Sequence, residues 1–394
     1  MNTIYQGLLT LIKSALTGEK LSLPEGFSLE AADKLIRSQS LVPLIYRGAF
    51  NCGISPQSEV MQKYQVQYFQ HLVSSDKQMR AVEQICAQFE KNGIDHMTLK
   101  GCNMKKLYPK PEMRSMGDAD ILIRLEQYER IPPLMQQLRY EAVKESPYDF
   151  CWQGENLYVE LHKKLFSPAQ ADLYGWFGDG WGKAQKIDGC RYEMSREDEY
   201  VYIFTHMTKH FRFCGIGVRH FVDLYVYRQA YPGLDEARIE QAMESLRLLD
   251  FYHNVRKTLD VWFKDVPADT VTELITDYVF NSGSFGTEQH KLYSEELLKA
   301  SKKRNEVKNS KLKSFISALF PPLDLMQLSY NILYKWPVLY PVYWVVRWVD
   351  ILLHRRKNIG KKLNIIQNMT DEKVAAYERT MNLMGLDFDY GEEV

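Results

Sequence analysis

The chain has 394 residues, of which 45% are hydrophobic and 25% are charged, so its composition is that of a protein folded around an apolar core. Fifty Lys and Arg against fifty Asp and Glu give no net charge, which argues against a basic nucleic-acid-binding protein and against intrinsic disorder. The six cysteines are scattered without a C-x-x-C pair, which is typical of reduced cytoplasmic thiols and not of a zinc site or a disulfide scaffold.

Residues 1–92 are predicted to be helical. Apolar residues at helical spacing near the N-terminus indicate an amphipathic helix that packs onto its own domain, because the basic segment and cleavage site of a signal peptide are missing. Ser28 is placed to cap a second helix over 29–38. A long periodic stretch over 57–92 ends at Asn92-Gly93, which fits a helix C-terminus.

The pattern changes at Gly93, where strands begin to alternate with helices. Turn residues and alternating hydrophobicity predict strands over 94–100, 118–125, 140–144 and 156–163, and helices over 103–108 and within 126–138. A loop rich in Gly and Trp is predicted over 166–189, and long loops of this kind are often functional. We expect residues 93–194 to form an α+β core around a small mixed sheet.

Residues 195–394 are predicted to form a large helical region. Its first helices are expected near 196–212, 219–231, 235–248, 250–264 and 268–280. The lysine-rich stretch over 302–313 is typical of a solvated linker or helix face.

Residues 333–353 are strongly apolar and aromatic, and their length approaches the roughly 20 residues that span a bilayer. They also contain Lys335, Arg347, Asp350 and two prolines, and one charge at the bilayer centre costs about 3 kcal/mol. We therefore expect a buried helix here. The alternative is a peripheral membrane contact, with Trp and Tyr at the level of the headgroups.

Three acidic residues are placed to converge. Asp118 and Asp120 are two apart at the start of a predicted strand, so both carboxylates project from one face. Glu160 lies in another strand, whose Val159 and Leu161 face the opposite way. If the two strands are neighbours, the three carboxylates repel one another unless a divalent cation compensates them. Oxygen ligands suit Mg²⁺ or Mn²⁺.

Other residues nearby suit a phosphate ligand. Lys100-Gly101 ends a strand before a helix, where phosphate can approach the backbone closely. The helix N-terminus adds free N–H groups and a partial positive charge. Lys100 and Arg114 supply cations for phosphate oxygens. An isolated D-x-D or Lys-Gly pair is common, but the combination in this order is far more specific and predicts metal-assisted attack on a nucleoside triphosphate.

The stretch resembles the polymerase-β-type nucleotidyltransferase superfamily, and most of all its branch of uncharacterised nucleotidyltransferases. The resemblance is carried by Leu99-Lys100-Gly101, by Arg114 before the Asp118-Ala119-Asp120 strand, and by Glu160-Leu161-His162. Specific matches cover about residues 95–225. The superfamily usually has Gly-Ser at the turn, whereas Lys100-Gly101-Cys102 stands here, so phosphate contact is expected to rely more on backbone N–H groups and Lys100.

The resemblance implies a role for each residue. Asp118 and Asp120 would bind both metal ions, and Glu160 would bind the catalytic metal and help to deprotonate the acceptor hydroxyl. Gly101 would line the triphosphate. The nucleotide-binding set expected on these motifs consists of Lys100, Gly101, Arg114 and Ser115.

Four residues further along are expected to line the cleft between the core and the helical region, namely His206, His210, Arg219 and Asp223. His206 and His210 have metal-ligand spacing, but Met207 stands where a zincin has Glu, so packing or hydrogen bonding is favoured over a metal. His162 is expected to face the same side as Glu160, where it orients a carboxylate or satisfies a hydrogen bond.

The predicted function is that of a cytoplasmic Mg²⁺-dependent nucleotidyltransferase. It would move NMP, for example AMP from ATP, to a hydroxyl acceptor and release pyrophosphate, and the zero net charge counts against long nucleic acid as the acceptor. A D-x-D glycosyltransferase is one alternative, but it leaves Lys100-Gly101 and Glu160-Leu161-His162 unexplained. The other alternative is a catalytically inactive, antitoxin-like module that binds a nucleotide or a partner. The retention of all three carboxylates argues against it.

Overall fold

A computed structural model gives the fold, and it confirms the α+β class. It describes all residues except 167–169, 303–319, 322, 324–325, 328–329, 331, 351–364, 366–367 and 388–394. A seven-stranded mixed sheet is flanked by helices from both ends of the chain.

The N-terminal helices form as predicted, with one addition. Their bounds are α1 Thr3–Thr17, α2 Leu29–Ser38, α3 Val42–Asn51 and α4 Glu59–Lys91. Ser28 caps α2, since its hydroxyl accepts a hydrogen bond from the Ala31 N–H. Helix α3 was not predicted as a separate helix, and most of its residues between Val42 and Ala49 are buried. It packs closely on α1, where a Cβ at Gly48 would lie 1.9 Å from the Leu11 carbonyl oxygen.

The strands form one sheet in the order β3-β4-β5-β2-β1-β7-β6. Their bounds are β1 His96–Thr98, β2 Asp118–Ile123, β3 Glu141–Glu145, β4 Asp149–Gln153, β5 Tyr158–His162, β6 Ala184–Asp188 and β7 Arg191–Met194. Strand β2 pairs in parallel with β5 and antiparallel with β1, and β1 pairs in parallel with β7. The remaining pairs are antiparallel.

The prediction of a loop over 166–189 is wrong for much of its length. Helix α7, Ala171–Phe177, and strand β6 both lie within it. Strand β6 is exposed at the sheet edge, so its residues do not show the alternation that marks a half-buried strand. Gly178 and Gly180, both at positive φ, lie between these two elements, and Gly189 follows β6, so the composition favoured the prediction of a loop.

Between the strands, helix α5 covers Lys100–Leu107 and helix α6 covers Ile131–Gln137. Helix α5 begins three residues earlier than predicted. Lys100 and Gly101 therefore lie in its first turn and not at the end of a strand.

The helical region follows the sheet. Its bounds are α8 Arg196–Phe213, α9 Val218–Ala230, α10 Glu236–Ser245, α11 Leu249–Phe263, α12 Thr270–Ser282 and α13 Glu288–Lys302. One apolar core joins these helices to α1–α3, and a second core lies between the sheet, α4 and α6.

The last described helices are α14 Ile332–Lys335, α15 Tyr340–Asp350 and α16 Asp371–Leu383. The expectation of a buried helix over 333–353 is wrong for α15, in which no residue is buried. Residues 351–353 of that segment, and 303–313 of the lysine-rich stretch, lie outside the described residues. In the described part of the chain, no helix is both long enough and apolar enough to cross a membrane.

Candidate active site

The acidic residues meet because β2 and β5 are adjacent parallel strands. Asp120 is in register with Glu160, and Leu122 with His162. Ala119 and Val159 alternate with them and are fully buried in the core beneath the sheet. The pleat therefore turns Asp118, Asp120, Glu160 and His162 to the other face, as predicted from the spacing.

Three of these side chains form a compact set of metal-ligating groups. Asp120, Glu160 and His162 each offer one ligand atom, and these atoms lie within 4.8 Å of one another. His162 Nε2 is 2.7 Å from Asp120 Oδ1 and 3.6 Å from Glu160 Oε2. Asp118 lies on the same strand face but is not in this set, so in the structure the third position belongs to the imidazole of His162.

Burial gives the carboxylates different acidities. Burial raises the pKa of Asp118 and of Glu160, and the negative charge of Asp120 raises both further. Burial acts on Asp120 as well, but the nearby Lys100 and the hydrogen bond from His162 hold the pKa of Asp120 well below its ordinary value. Asp120 therefore gives up its proton more readily than an ordinary aspartate, whereas Glu160 within the set and Asp118 beside it bind a proton more readily. Oxygen donors in this arrangement fit a hard divalent cation.

Lys100 reaches this set from the first turn of α5. Its Nζ lies 3.3 Å from Asp120 Oδ1. The backbone of Lys100 adopts φ = +29°, which is sterically disfavoured for a residue with a Cβ. The Leu99 N–H donates to the Asp120 carbonyl, which fixes the start of α5 beside β2. Gly101 is buried, and a Cβ there would lie 3.3 Å from the Met116 side chain. The free N–H groups of this helix start therefore lie next to the carboxylates.

Arg114 is paired within the protein. Its Nε and Nη2 donate to the two oxygens of Asp223 on α9, each at 2.8 Å, and both side chains are buried. Tyr108 donates a further hydrogen bond of 2.7 Å to Asp223. The role of Arg114 as a phosphate cation stays a prediction, and this pairing disfavours it. The neighbouring Ser115 donates from its hydroxyl to the Ser40 carbonyl.

A cleft of about 720 Å³ separates the acidic face of the sheet from α8 and α9. The four residues expected at such a cleft all lie in its lining, namely His206, His210, Arg219 and Asp223. Arg219 Nη1 donates a hydrogen bond of 2.7 Å to the Ser115 carbonyl, whereas the buried Nε of Arg219 has no hydrogen-bond partner among the described residues. Burial lowers the pKa of His206 strongly and that of His210 to about 4, so both imidazoles are neutral at pH 7.

Sequence reasoning missed Lys209, which lies between these histidines on the wall of the cleft. Burial lowers its pKa, and so does the positive charge of Lys100. No described residue forms an ion pair or hydrogen bond with Lys209, although the negative charge of Glu160 opposes the lowering of its pKa. The sequence could have indicated Lys209 as a cleft residue, because positions 206, 209 and 210 share one face of a helix. A cation in such a place is available to an anionic ligand.

A family model matches more than half of this chain. The model of a family described as "Uncharacterised nucleotidyltransferase" matches residues 25–264, and this confirms the resemblance that the motifs carried over about 95–225. The fold is also similar to the solution structure of the antibiotic-resistance factor ANT(2'')-Ia, with 14% identity and a TM-score of 0.32 over 46% of this chain and 97% of that one. None of the curated proteins compared with the sequence matches it.

Proposed function

The chain belongs to the uncharacterised nucleotidyltransferase family, and we propose that it transfers a nucleoside monophosphate from a nucleoside triphosphate to a hydroxyl acceptor. The observation that carries this proposal is the set of Asp120, Glu160 and His162, which lies beside Lys100 at the start of α5. A cluster of acidic groups next to free N–H groups and cations is what a metal-bound polyphosphate requires.

In this proposal Asp118, Asp120 and Glu160 hold Mg²⁺ or Mn²⁺, and His162 positions the carboxylate of Asp120. A divalent ion bound there would stabilise negative charge on the attacking and leaving oxygens. Support comes from the donor set, in which two of the three ligand atoms are carboxylate oxygens.

The polyphosphate would lie between the start of α5 and the opposite wall of the cleft. Lys100 and the backbone at Gly101 would bind it from the sheet side. Lys209 and Arg219 would bind it from α8 and α9, since Lys209 has no partner among the described residues and Arg219 is already oriented by the Ser115 carbonyl. These contacts would replace the predicted contact from Arg114, whose charge Asp223 neutralises.

In the reaction, the acceptor oxygen attacks the α-phosphorus while the bond from that phosphorus to the oxygen bridging the β-phosphate breaks. Pyrophosphate leaves with the electron pair of that bond. The proton of the acceptor hydroxyl passes to Glu160, which belongs to the metal-ligating set and lines the cleft.

We propose ATP as the first donor to test and a small molecule as the acceptor. The zero net charge disfavours long nucleic acid as the acceptor. The cytoplasm is the proposed compartment, because all six cysteines are unpaired.

Thermal unfolding tests the proposal without knowledge of the acceptor. Wild type and Asp120→Asn are titrated with ATP, GTP, CTP and UTP, with and without Mg²⁺. We expect one nucleotide to stabilise wild type only with Mg²⁺, by about 2.7 kcal/mol at a hundred times its Kd, and to leave Asp120→Asn unchanged. Asp149→Asn is the matched control, since Asp149 also lines the cleft but is bound by Ser146, and it should keep the response.

Two outcomes would contradict the proposal. If no nucleotide stabilises wild type with Mg²⁺, the cleft is not a nucleotide site. If a nucleotide stabilises both proteins equally and without metal, the chain is a binding module of this fold and not a transferase.

A further inference from the structure

One helix of the C-terminal part presents an apolar face to solvent. Val342, Val345, Val346 and Val349 lie on one side of α15, and they are between 43% and 64% exposed. We call these four residues the valine face. Their spacing of three, one and three positions is that of a single helical stripe. Soluble proteins expose single apolar residues routinely, but a contiguous stripe indicates a binding surface.

The opposite side of α15 is already occupied. The Tyr340 hydroxyl donates to the Pro321 carbonyl at 2.6 Å, and the Trp344 ring lies 5.2 Å from that of Phe320. These contacts hold the helix in an orientation that leaves the valine face outward. In the turn before the helix, Trp336 and Val338 are 60% and 78% exposed and extend the apolar surface.

The sequence around this surface has a large positive charge. Residues 302–362 contain thirteen Lys and Arg but only three Asp and Glu, in a chain whose net charge is zero. Three of the seven tryptophans lie between positions 336 and 348. Apolar residues, tryptophans and flanking basic residues are the three components of a helix that binds an anionic lipid surface.

We propose that the valine face lies on the surface of a bilayer that contains anionic lipids. The described part of α15 has 11 residues and is about 16 Å long, which is half of the roughly 30 Å hydrocarbon core, and the proposal places it in the interface. A second copy of the chain is a poorer occupant, because pairing two such surfaces would bring two positively charged segments together. This inference is independent of the reaction in the cleft.

Vesicle co-sedimentation of the full chain tests it. Vesicles of phosphatidylcholine alone are compared with vesicles that also contain phosphatidylglycerol, at low and high salt. We expect wild type to sediment with the anionic vesicles, to bind them at least about tenfold less at high salt, and to bind neutral vesicles weakly. The double variant Val342→Glu/Val345→Glu should lose at least tenfold in binding, since two carboxylates would enter the interface.

The matched control is Val66→Glu/Val73→Glu. These valines are 59% and 56% exposed on α4, so the control makes the same chemical change on another helix. It should bind as wild type does, and circular dichroism should show all three proteins folded. The proposal is overturned if wild type binds no vesicles, or if the two double variants bind equally. It is also overturned if wild type is a dimer that only the α15 variant dissociates, because the face would then join two copies.

Discussion

Arg114 and Asp223 form a buried, two-point ion pair although 109 positions separate them in the chain. Arg114 precedes β2, whose first residue is Asp118, and Asp223 lies in the middle of α9. Lys105 Nζ binds the Arg114 carbonyl at 2.8 Å, and Tyr108 binds Asp223, so α5 joins the same network. The pair therefore fixes the acidic strand against the helical wall of the cleft.

Loss of one member of this pair should unfold the protein more easily. Asp223→Asn leaves the Arg114 charge buried without its counter-ion, and we expect the free energy of unfolding to fall by about 3–5 kcal/mol in urea denaturation. The double variant Arg114→Met/Asp223→Leu removes both charges and should lose less than the sum of Arg114→Met and Asp223→Leu. Additive losses would show that the two side chains do not interact.

The sequence predicted the acidic face of the site better than its basic wall. Asp118, Asp120 and Glu160 were found because two-residue periodicity and strand adjacency fix which face a side chain takes. The partner of Arg114 could not be found, because a pairing between β2 and α9 depends on how the helical region packs on the sheet. Sequence spacing carries no information about that packing.

The same limit applies to the elements that were missed. Strand β6 is exposed at the sheet edge, so its sequence lacks the buried alternation by which β5 was recognised, and β7 beside it has only four residues, none of them fully buried. Residues 333–353 show the opposite error, a prediction of burial that the structure does not bear out. Their hydrophobicity predicted burial, but hydrophobicity alone does not distinguish a core helix from one that faces outward, and α15 faces outward.

Substitutions at Lys100 should reveal the backbone strain at the start of α5 through their effect on stability. Its φ of +29° suits glycine and not a residue with a Cβ. Lys100→Gly and Lys100→Ala both remove the amine beside Asp120, so their difference isolates the backbone. We expect the glycine variant to be more stable than the alanine variant by about 1 kcal/mol in urea denaturation. At Lys105, within the same helix, the order should reverse, because glycine is the poorer helix former there. The same order at both positions would refute strain at Lys100.

Acidification should destabilise the protein through histidines held neutral by burial. Burial lowers the pKa of His210 to about 4 and that of His220 to about 3. Between pH 6.5 and 4 the unfolded chain binds protons that the folded chain does not. Stability therefore falls as pH falls, by up to about 1.4 kcal/mol per pH unit for each histidine. The lowered pKa of Asp120 adds a further loss only below its ordinary value, near pH 4.

A histidine variant separates the effect of the histidines on the pH dependence of stability from that of the carboxylates. The raised pKa values of Asp118 and Glu160 oppose the histidine effect in part of this range, so the slope of wild type alone is a mixture. His220→Gln should make stability less dependent on pH between 6.5 and 4, measured by urea denaturation at each pH. His253→Gln is the control, because it makes the same substitution at a half-exposed histidine. Equal slopes in wild type and His220→Gln would contradict the prediction.

Lys209 should act on the polyphosphate and not on the fold. A hydrogen bond between a lysine and a phosphate oxygen contributes about 1.5–3 kcal/mol, so Lys209→Met should raise the Kd of the Mg²⁺-bound nucleotide roughly 10- to 100-fold. Affinity for the nucleoside monophosphate should change little if the contact is with the β- or γ-phosphate, and Lys209→Arg should restore part of the loss. Titration calorimetry with ATP, pyrophosphate and AMP distinguishes these cases.

Lys291→Met, at a partly buried helical lysine outside the cleft, is the control. Because no described group pairs with Lys209, its removal should not lower the melting temperature of the unliganded protein. Equal nucleotide affinity in wild type and Lys209→Met would remove this residue from the site while leaving the acidic set to be tested by Asp120→Asn.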